Sequence, residues 1–311
     1  MQSVSIVTCS HNGTTRLPAL LASLKELTVR SALRLELVFV DSASVDTTAD
    51  LVDGWDLPFP VKVCQLTEPG QSRALNKAIE LAEGELLLFT DDDCRVAPDW
   101  LCAYADAATA VPEAGYLFGP VVPLLTETLP DWWDLAPRSL RGRSQGEELR
   151  VYRSFGRDSY PMGCNMAVPR RALAGGLRFE EKLGPSPDSP TSLGADTKLG
   201  RSLQHAGFAG CYVPNALVYH SVHSSRVSWG YLVSHFWASG RCSLYYKPVD
   251  TPAGRFRFAS SCLRKCLCWS VILAVQLVLR RRLAAKKTRL SLMKASGAVW
   301  EYVSTCGGRL G

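Results

Sequence analysis

A short apolar run, Leu86-Leu87-Leu88-Phe89, is followed by Thr90 and then by three consecutive aspartates, Asp91-Asp92-Asp93. The run is continuous and bounded by polar residues, the pattern of a strand buried on both faces of a parallel sheet. Three carboxylates at the exposed end of such a strand repel one another in any apolar setting. A bound divalent cation removes that cost, and hard oxygen ligands suit Mg²⁺ or Mn²⁺. An acidic turn capping the next helix is the plainer reading, and the triplet alone does not decide between them.

The same pattern recurs upstream. Residues 4–8 read as a first strand, and residues 16–27, with Leu17, Leu20, Leu21, Leu24 and Leu27 at helical spacing, as a helix. Residues 35–40 form a second apolar strand ending in Asp41-Ser42-Ala43-Ser44, a segment suited to cap a helix. A third strand is expected over 61–66 and a helix over 71–82. Strands alternating with helices imply a doubly wound α/β sheet, whose ligands sit beyond the carboxyl ends of the strands. Asp41 and the aspartate triplet both fall at that edge.

Residues 120–160 look irregular, with Pro130-Asp131-Trp132-Trp133 ahead of a basic stretch, and are expected to form a mobile loop or an acceptor-binding insert. Strand character returns near residues 160–168, followed by a helix over 195–206 and strands over 210–213 and 216–220.

The net charge of +6 conceals an uneven distribution. From residue 251 onward there are twelve Lys or Arg and one acid, Glu301, leaving 23 basic and 28 acidic residues elsewhere. A basic tail on an acidic body suits an anionic surface such as phospholipid, and without a nucleic-acid module no nucleic-acid partner is expected. Within the tail, residues 266–279 are apolar, shorter than the roughly 20 residues needed to span a bilayer. A helix lying in the membrane interface is therefore expected, the rival being a helix packed on the catalytic domain or at a dimer contact. The eleven cysteines show no paired spacing for zinc, and the N-terminus lacks the charged leader and apolar core of a signal peptide. The expectation is a cytoplasmic protein with reduced thiols, peripheral on the inner face of the plasma membrane.

In order along the chain, several motifs resemble glycosyltransferase family 2, the inverting nucleotide-sugar enzymes of GT-A fold. Residues 5–13, with Cys9-Ser10-His11, resemble the opening loop that holds the nucleotide base; Val38-Phe39-Val40-Asp41 resembles the segment whose aspartate reads the base. Gly70-Gln71-Ser72-Arg73 resembles the next donor-binding turn, with Arg73 supporting the diphosphate, and Thr90-Asp91-Asp92-Asp93 resembles the metal-binding DxD motif. Gly163-Cys164-Asn165-Met166 resembles the acceptor-side strand, and Gly194-Ala195-Asp196 falls where the family usually opens a helix with Glu-Asp, so only the aspartate carries over.

The resemblance implies a GT-A type, Rossmann-like mixed sheet over residues 1–245 (1–119 for the nucleotide sugar, 120–245 for the acceptor), with a basic, apolar helical tail over 246–311. It implies Asp196 as the base that deprotonates the acceptor hydroxyl, against a plain helix-cap role. It further implies Asp93 as the first metal ligand, with Asp91 and His220 completing the shell and Asp91 and Asp92 supporting the metal or donor ribose. His223 is a lesser candidate, and Trp132 and Trp133 either stack on an acceptor or pack their loop. The donor is expected to be a UDP, dTDP or GDP sugar, the cofactor Mn²⁺ or Mg²⁺, and the acceptor a glycan or lipid-linked glycan. The rival functions are a nucleotidyltransferase and a non-catalytic scaffold in a glycan-assembly complex, the latter permitted by Ala195.

Overall fold

The computed structural model describes residues 2–125, 128–187, 189, 192–246, 252–279 and 281–307. Four parallel strands, β1 (Ser3–Ser10), β2 (Arg34–Ser42), β3 (Val61–Leu66) and β4 (Leu86–Phe89), alternate with α1 (Leu17–Lys25), α2 (Thr48–Asp53) and α3 (Gln71–Leu81). The chain continues through β5 (Cys94–Val96), α4 (Trp100–Ala110), β6 (Ala114–Phe118), β7 (Val121–Leu125), α5 (Arg138–Arg141) and β8 (Arg150–Tyr152). It then forms β9 (Met166–Pro169), α6 (Arg170–Leu173), α7 (Ala195–His205), β10 (Ala209–Tyr212) and β11 (Val218–Val222), and ends in α8 (Trp229–Tyr246), α9 (Pro252–Val278) and α10 (Arg282–Gly307).

The main sheet has the order β3-β2-β1-β4-β9-β6-β10-β8, and a small second sheet has the order β5-β11-β7. The large sheet is mixed because β9 runs antiparallel between β4 and β6. On one face Val4, Ile6, Leu37, Phe39, Leu86 and Leu88 pack with the leucines of α1 and with Trp100 and Tyr104 of α4. Alternation along each strand supplies this face, and the positions between are also buried, which explains the near-continuous apolar runs.

Asn165, fully buried just before β9, ties α4 to two loops. Its Nδ2 donates to the carbonyls of Pro120 (2.8 Å) and Ala216 (2.7 Å), and its Oδ1 accepts from Trp100 Nε1 (2.8 Å) and Tyr104 Oη (2.6 Å). All four bonding positions of the amide are thus used.

Two compact units emerge: Met1–Leu124 with Gly142–Glu181 and Ala195–Ser221, and Leu125–Arg141 with Lys182–Gly194 and Val222–Gly311. In the second, α10 packs on α8 so closely that a Cβ at Gly240 would meet the backbone of Lys294, and one at Gly297 the backbone of Trp237. Buried Glu301 accepts from Arg241 Nε (2.8 Å) and Tyr245 Oη (2.7 Å). α9 is joined to α10 by Thr288 Oγ1 to Gln276 Oε1 (2.7 Å) and by the pair Cys266–Ser296 (3.5 Å).

Three sequence expectations need correction. Asp41 does not cap a helix directly: β2 runs to Ser42, and α2 begins only at Thr48. Residues 120–160 are not wholly irregular: β7, a 3-10 turn over Trp133–Leu135, α5 and β8 interrupt the expected loop. The tail's apolar run belongs to a longer helix, because Arg255, Arg257, Arg264 and Lys265 extend α9 toward its N-terminus as good helix formers.

Candidate active site

The carboxyl ends of β1, β2 and β4 present their loops at one edge of the large sheet, and the triplet leaves β4 there. Its three aspartates have distinct surroundings. Asp92 is held by a fork: Arg16 Nε lies 3.1 Å from both carboxylate oxygens and Arg16 Nη2 2.7 Å from Oδ2, while the Ser10 hydroxyl also donates to Oδ2. The same guanidinium donates to the carbonyls of Asn12 (3.1 Å) and His11 (3.0 Å), fastening the first loop to the triplet.

Asp93 faces the small sheet. Its Oδ1 lies 3.4 Å from Nε2 of buried His220 on β11, and its carbonyl accepts from Ser221 N (2.9 Å). Pairing of β11 with β5, with His220 opposite Cys94, brings these distant segments together. Asp91 has Gln71 Nε2 3.5 Å from its Oδ1. Burial first and then the charge of Asp93 push its carboxyl up to about 7; Asp92 and Asp196 add to this and His220 opposes it.

Ligand atoms of Asp93, Cys94 and His220 lie within 4.8 Å of one another. A carboxylate and an imidazole beside the strained carboxyl of Asp91 fit a divalent cation such as Mn²⁺. Cys94, whose Sγ lies 3.8 Å from Asp93 Oδ1, offers a soft sulfur that suits such a hard cation less well.

Asp196 stands in the first turn of α7. Its Oδ2 accepts from Gly163 N (2.9 Å), and its Oδ1 from Thr197 N (2.6 Å) and Thr197 Oγ1 (3.2 Å). Burial raises its carboxyl, and these bonds to the charged form hold the rise back. Its effect on Asp91 places it within electrostatic reach of the triplet.

The loops after β1 and β2 are stitched together. Asp41 Oδ1 accepts from Ser44 N (3.1 Å) and from the Ser44 hydroxyl, His11 Nδ1 meets Ser42 O at 2.8 Å, and Asn12 N donates to Ser44 Oγ (2.8 Å). Asn12 and Ala43 sit at φ 52° and 58°. Asn tolerates this left-handed region, whereas Ala there costs about 1–2 kcal/mol. The Cys9 thiol, on β1, is raised by burial and by Asp91 and Asp92.

Other expected residues are placed elsewhere or engaged. Arg73, on α3, pairs with Glu68 and lies 3.6 Å from Glu181, so these two acids already hold it. His223, exposed, caps a 3-10 turn by accepting from Ser225 N (3.2 Å). Trp132 is buried against Trp229 (ring centroids 6.0 Å, 67° apart), so it packs its loop down. Sequence reasoning missed Arg16, Gln71 and the Gly163 amide. Arg16 offered no signal, because at the start of an amphipathic helix it is indistinguishable from a solvated residue.

The profile of glycosyl transferase family 2 matches residues 5–174. The succinoglycan biosynthesis protein ExoM of Rhizobium meliloti (strain 1021) is 28% identical over 224 residues, covering 71% of this chain and 68% of that protein. The mannosyltransferase PcManGT from Pyrobaculum calidifontis, solved with GDP-Man and Mn²⁺, superposes with a TM-score of 0.61 at 17% identity, covering 96% of this chain and 87% of that one. S. aureus TarS 1–349, solved with UDP-GlcNAc, gives 0.58 at 16% identity, covering 98% and 92%. Against the longer TarS chain the match spans 39% of its length.

Proposed function

The chain belongs to glycosyltransferase family 2 and is a nucleotide-sugar glycosyltransferase of GT-A fold, and from that premise we propose a metal-dependent, inverting transfer to a hydroxyl acceptor. The observation that carries this reading is the approach of Asp93 Oδ1 to His220 Nε2, 3.4 Å, beside an Asp91 carboxyl raised by burial and then by the charge of Asp93. Asp93 and His220, with Asp91, are the residues that would hold Mn²⁺ or Mg²⁺, and a bound cation supplies positive charge for the leaving diphosphate.

This chain's own residues do the rest. Asp41 and the loop of Cys9, Ser10 and His11 receive the nucleotide base; their chemistry suits UDP, dTDP and GDP alike. Asp92, fixed by Arg16 and Ser10, keeps the triplet turned so that its neighbours face the donor. Asp196 takes the proton from the acceptor hydroxyl as that oxygen bonds to the anomeric carbon. The bond from that carbon to the diphosphate oxygen breaks on the opposite face, and the diphosphate leaves with the electron pair. A carboxyl raised by burial is a better base for this step than an exposed one.

These residues all lie in the first compact unit. The acceptor we favour is a growing polysaccharide or lipid-linked glycan at the cytosolic membrane face, in keeping with a relative named for succinoglycan biosynthesis. The test is a thermal-shift and turnover panel of UDP, dTDP and GDP sugars with and without Mn²⁺. A cation-dependent rise in Tm with one base, and donor consumption that Asp196→Asn abolishes while keeping the Tm rise, are expected. No shift with any nucleotide overturns the reading.

A further inference from the structure

α9 is apolar on two opposite faces and covered on one. Ala259, Cys262, Cys266, Trp269, Leu273 and Gln276 recur at helical spacing on the side joined to α10. On the other side Leu263, Leu267, Val271, Val275 and Val278 form an equally regular stripe and are 51–80% exposed. An uncharged stretch runs from Cys266 to Leu279, bracketed by exposed cations, Arg264 and Lys265 before it and Arg281 and Arg282 after it.

By length and composition Ala253–Val278 is able to cross a bilayer, and 27 helical residues reach about 40 Å. The partner helix argues against crossing. The bonds Gln276–Thr288 and Cys266–Ser296 run α10 antiparallel beside the uncharged stretch, and this part of α10 carries Arg289 and Lys294, both exposed. A spanning α9 would draw those cations into hydrocarbon, where charge is expensive. A helix lying in the interface keeps them at headgroup level and buries only its bare stripe.

We propose that α9 docks in the plane of an anionic phospholipid membrane, with Leu267, Val271 and Val275 inserted and the flanking cations on the headgroups. Charge complementarity selects an anionic bilayer as the occupant of this face. The inference deepens the proposed function, since it would bring the enzyme to a lipid-linked acceptor, but docking is measured without turnover.

Full-length protein is floated with vesicles of phosphatidylcholine alone and of phosphatidylcholine with about 30% phosphatidylglycerol. Binding only to the anionic vesicles is expected, falling about tenfold as salt rises to about 1 M. The triple variant Leu267→Glu, Val271→Glu, Val275→Glu is expected to lose about tenfold or more in binding while its Tm rise with nucleoside diphosphate and Mn²⁺ is kept. Should that variant misfold, Arg281→Glu with Arg282→Glu, at exposed positions, is expected to weaken anionic binding alone. Alkaline carbonate should release the wild type from membranes of producing cells. Undiminished flotation of both variants, resistance to carbonate, or a dimer that the triple variant dissociates while flotation persists would each overturn the proposal. Loss of the nucleotide response in wild type would instead strike the proposed function and leave docking standing.

Discussion

Asp91, Asp92 and Asp93 are neighbours with unlike chemistry, and substitution should separate them. Asp93→Asn removes a charged ligand from the proposed cation shell, so the Mn²⁺-dependent Tm rise should vanish and transfer should fall about 100-fold, read by thermal shift and steady-state turnover. Arg16→Ala strips the fork from Asp92, whose side chain is 13% exposed. A fully buried pair broken in this way loses about 3–5 kcal/mol; with the Arg16 side chain 40% exposed, about 1–2 kcal/mol is expected in urea unfolding. Arg16→Lys should recover the charge and only part of the loss, because an ammonium cannot reproduce the fork. For Asp196 the sign follows from its raised carboxyl: the base is active only when deprotonated, so the acidic limb of kcat against pH should lie above the ordinary carboxylate range, with activity rising through it. Asp196→Asn should lose activity and that limb together. At this scale the triplet was legible as a run of like charge at a strand end, which alone left a cation site and an acidic turn both open, and His220 only through the family resemblance. Arg16 was not, because only folding brings a helix start against the triplet.

The elements were legible where burial writes a pattern into the chain. Leu35, Leu37 and Phe39 alternate with Val38 and Val40 into a second layer, so β2 reads as a strand buried on both faces. Met166–Pro169 also reads as a strand, but nothing local says that it slots antiparallel between β4 and β6. Asn165, just before it, is bonded to four partners distant in sequence that nothing local announces. Asn165→Ala leaves the Trp100 indole N–H, the Tyr104 hydroxyl and two carbonyls without this partner in a closed core. Each orphaned group costs about 1–3 kcal/mol, with losses that do not simply add, so a fall of about 3–5 kcal/mol is expected from urea denaturation. Asn165→Asp should also destabilise, since a carboxylate accepts where the two carbonyls need a donor. The end of β2 was misjudged for a related reason: Asp41 has the chemistry of a cap, yet it spends its oxygen on Ser44 at the turn, and α2 starts after it.

Over the whole chain the charge is divided, with a basic C-terminal stretch on an otherwise acidic molecule. In the sequence that stretch reads as a basic helical tail, and within the second unit it is structural. α10 supplies the surface on which α8 closes, through Gly240 and Gly297 at backbone contact and through Glu301, buried beneath Arg241 and Tyr245. The pattern is hard to read from the chain, because the close-packed positions are glycines and alanines and the one buried acid looks like any solvated glutamate. Removing everything after Asp250 would therefore strip more than the proposed membrane contact. It would leave the Arg241 guanidinium without its carboxylate and uncover the apolar side of α8 around Leu232 and Cys242, both buried in the intact chain. An uncovered helix face of this kind aggregates or melts early. The truncated chain should lose solubility and the wild-type melting temperature, as followed by light scattering and calorimetry. The stripe variants on α9, which leave the α8–α10 contact untouched, should keep both. A truncated chain as soluble and as cooperative as the wild type would show that α8 closes without α10.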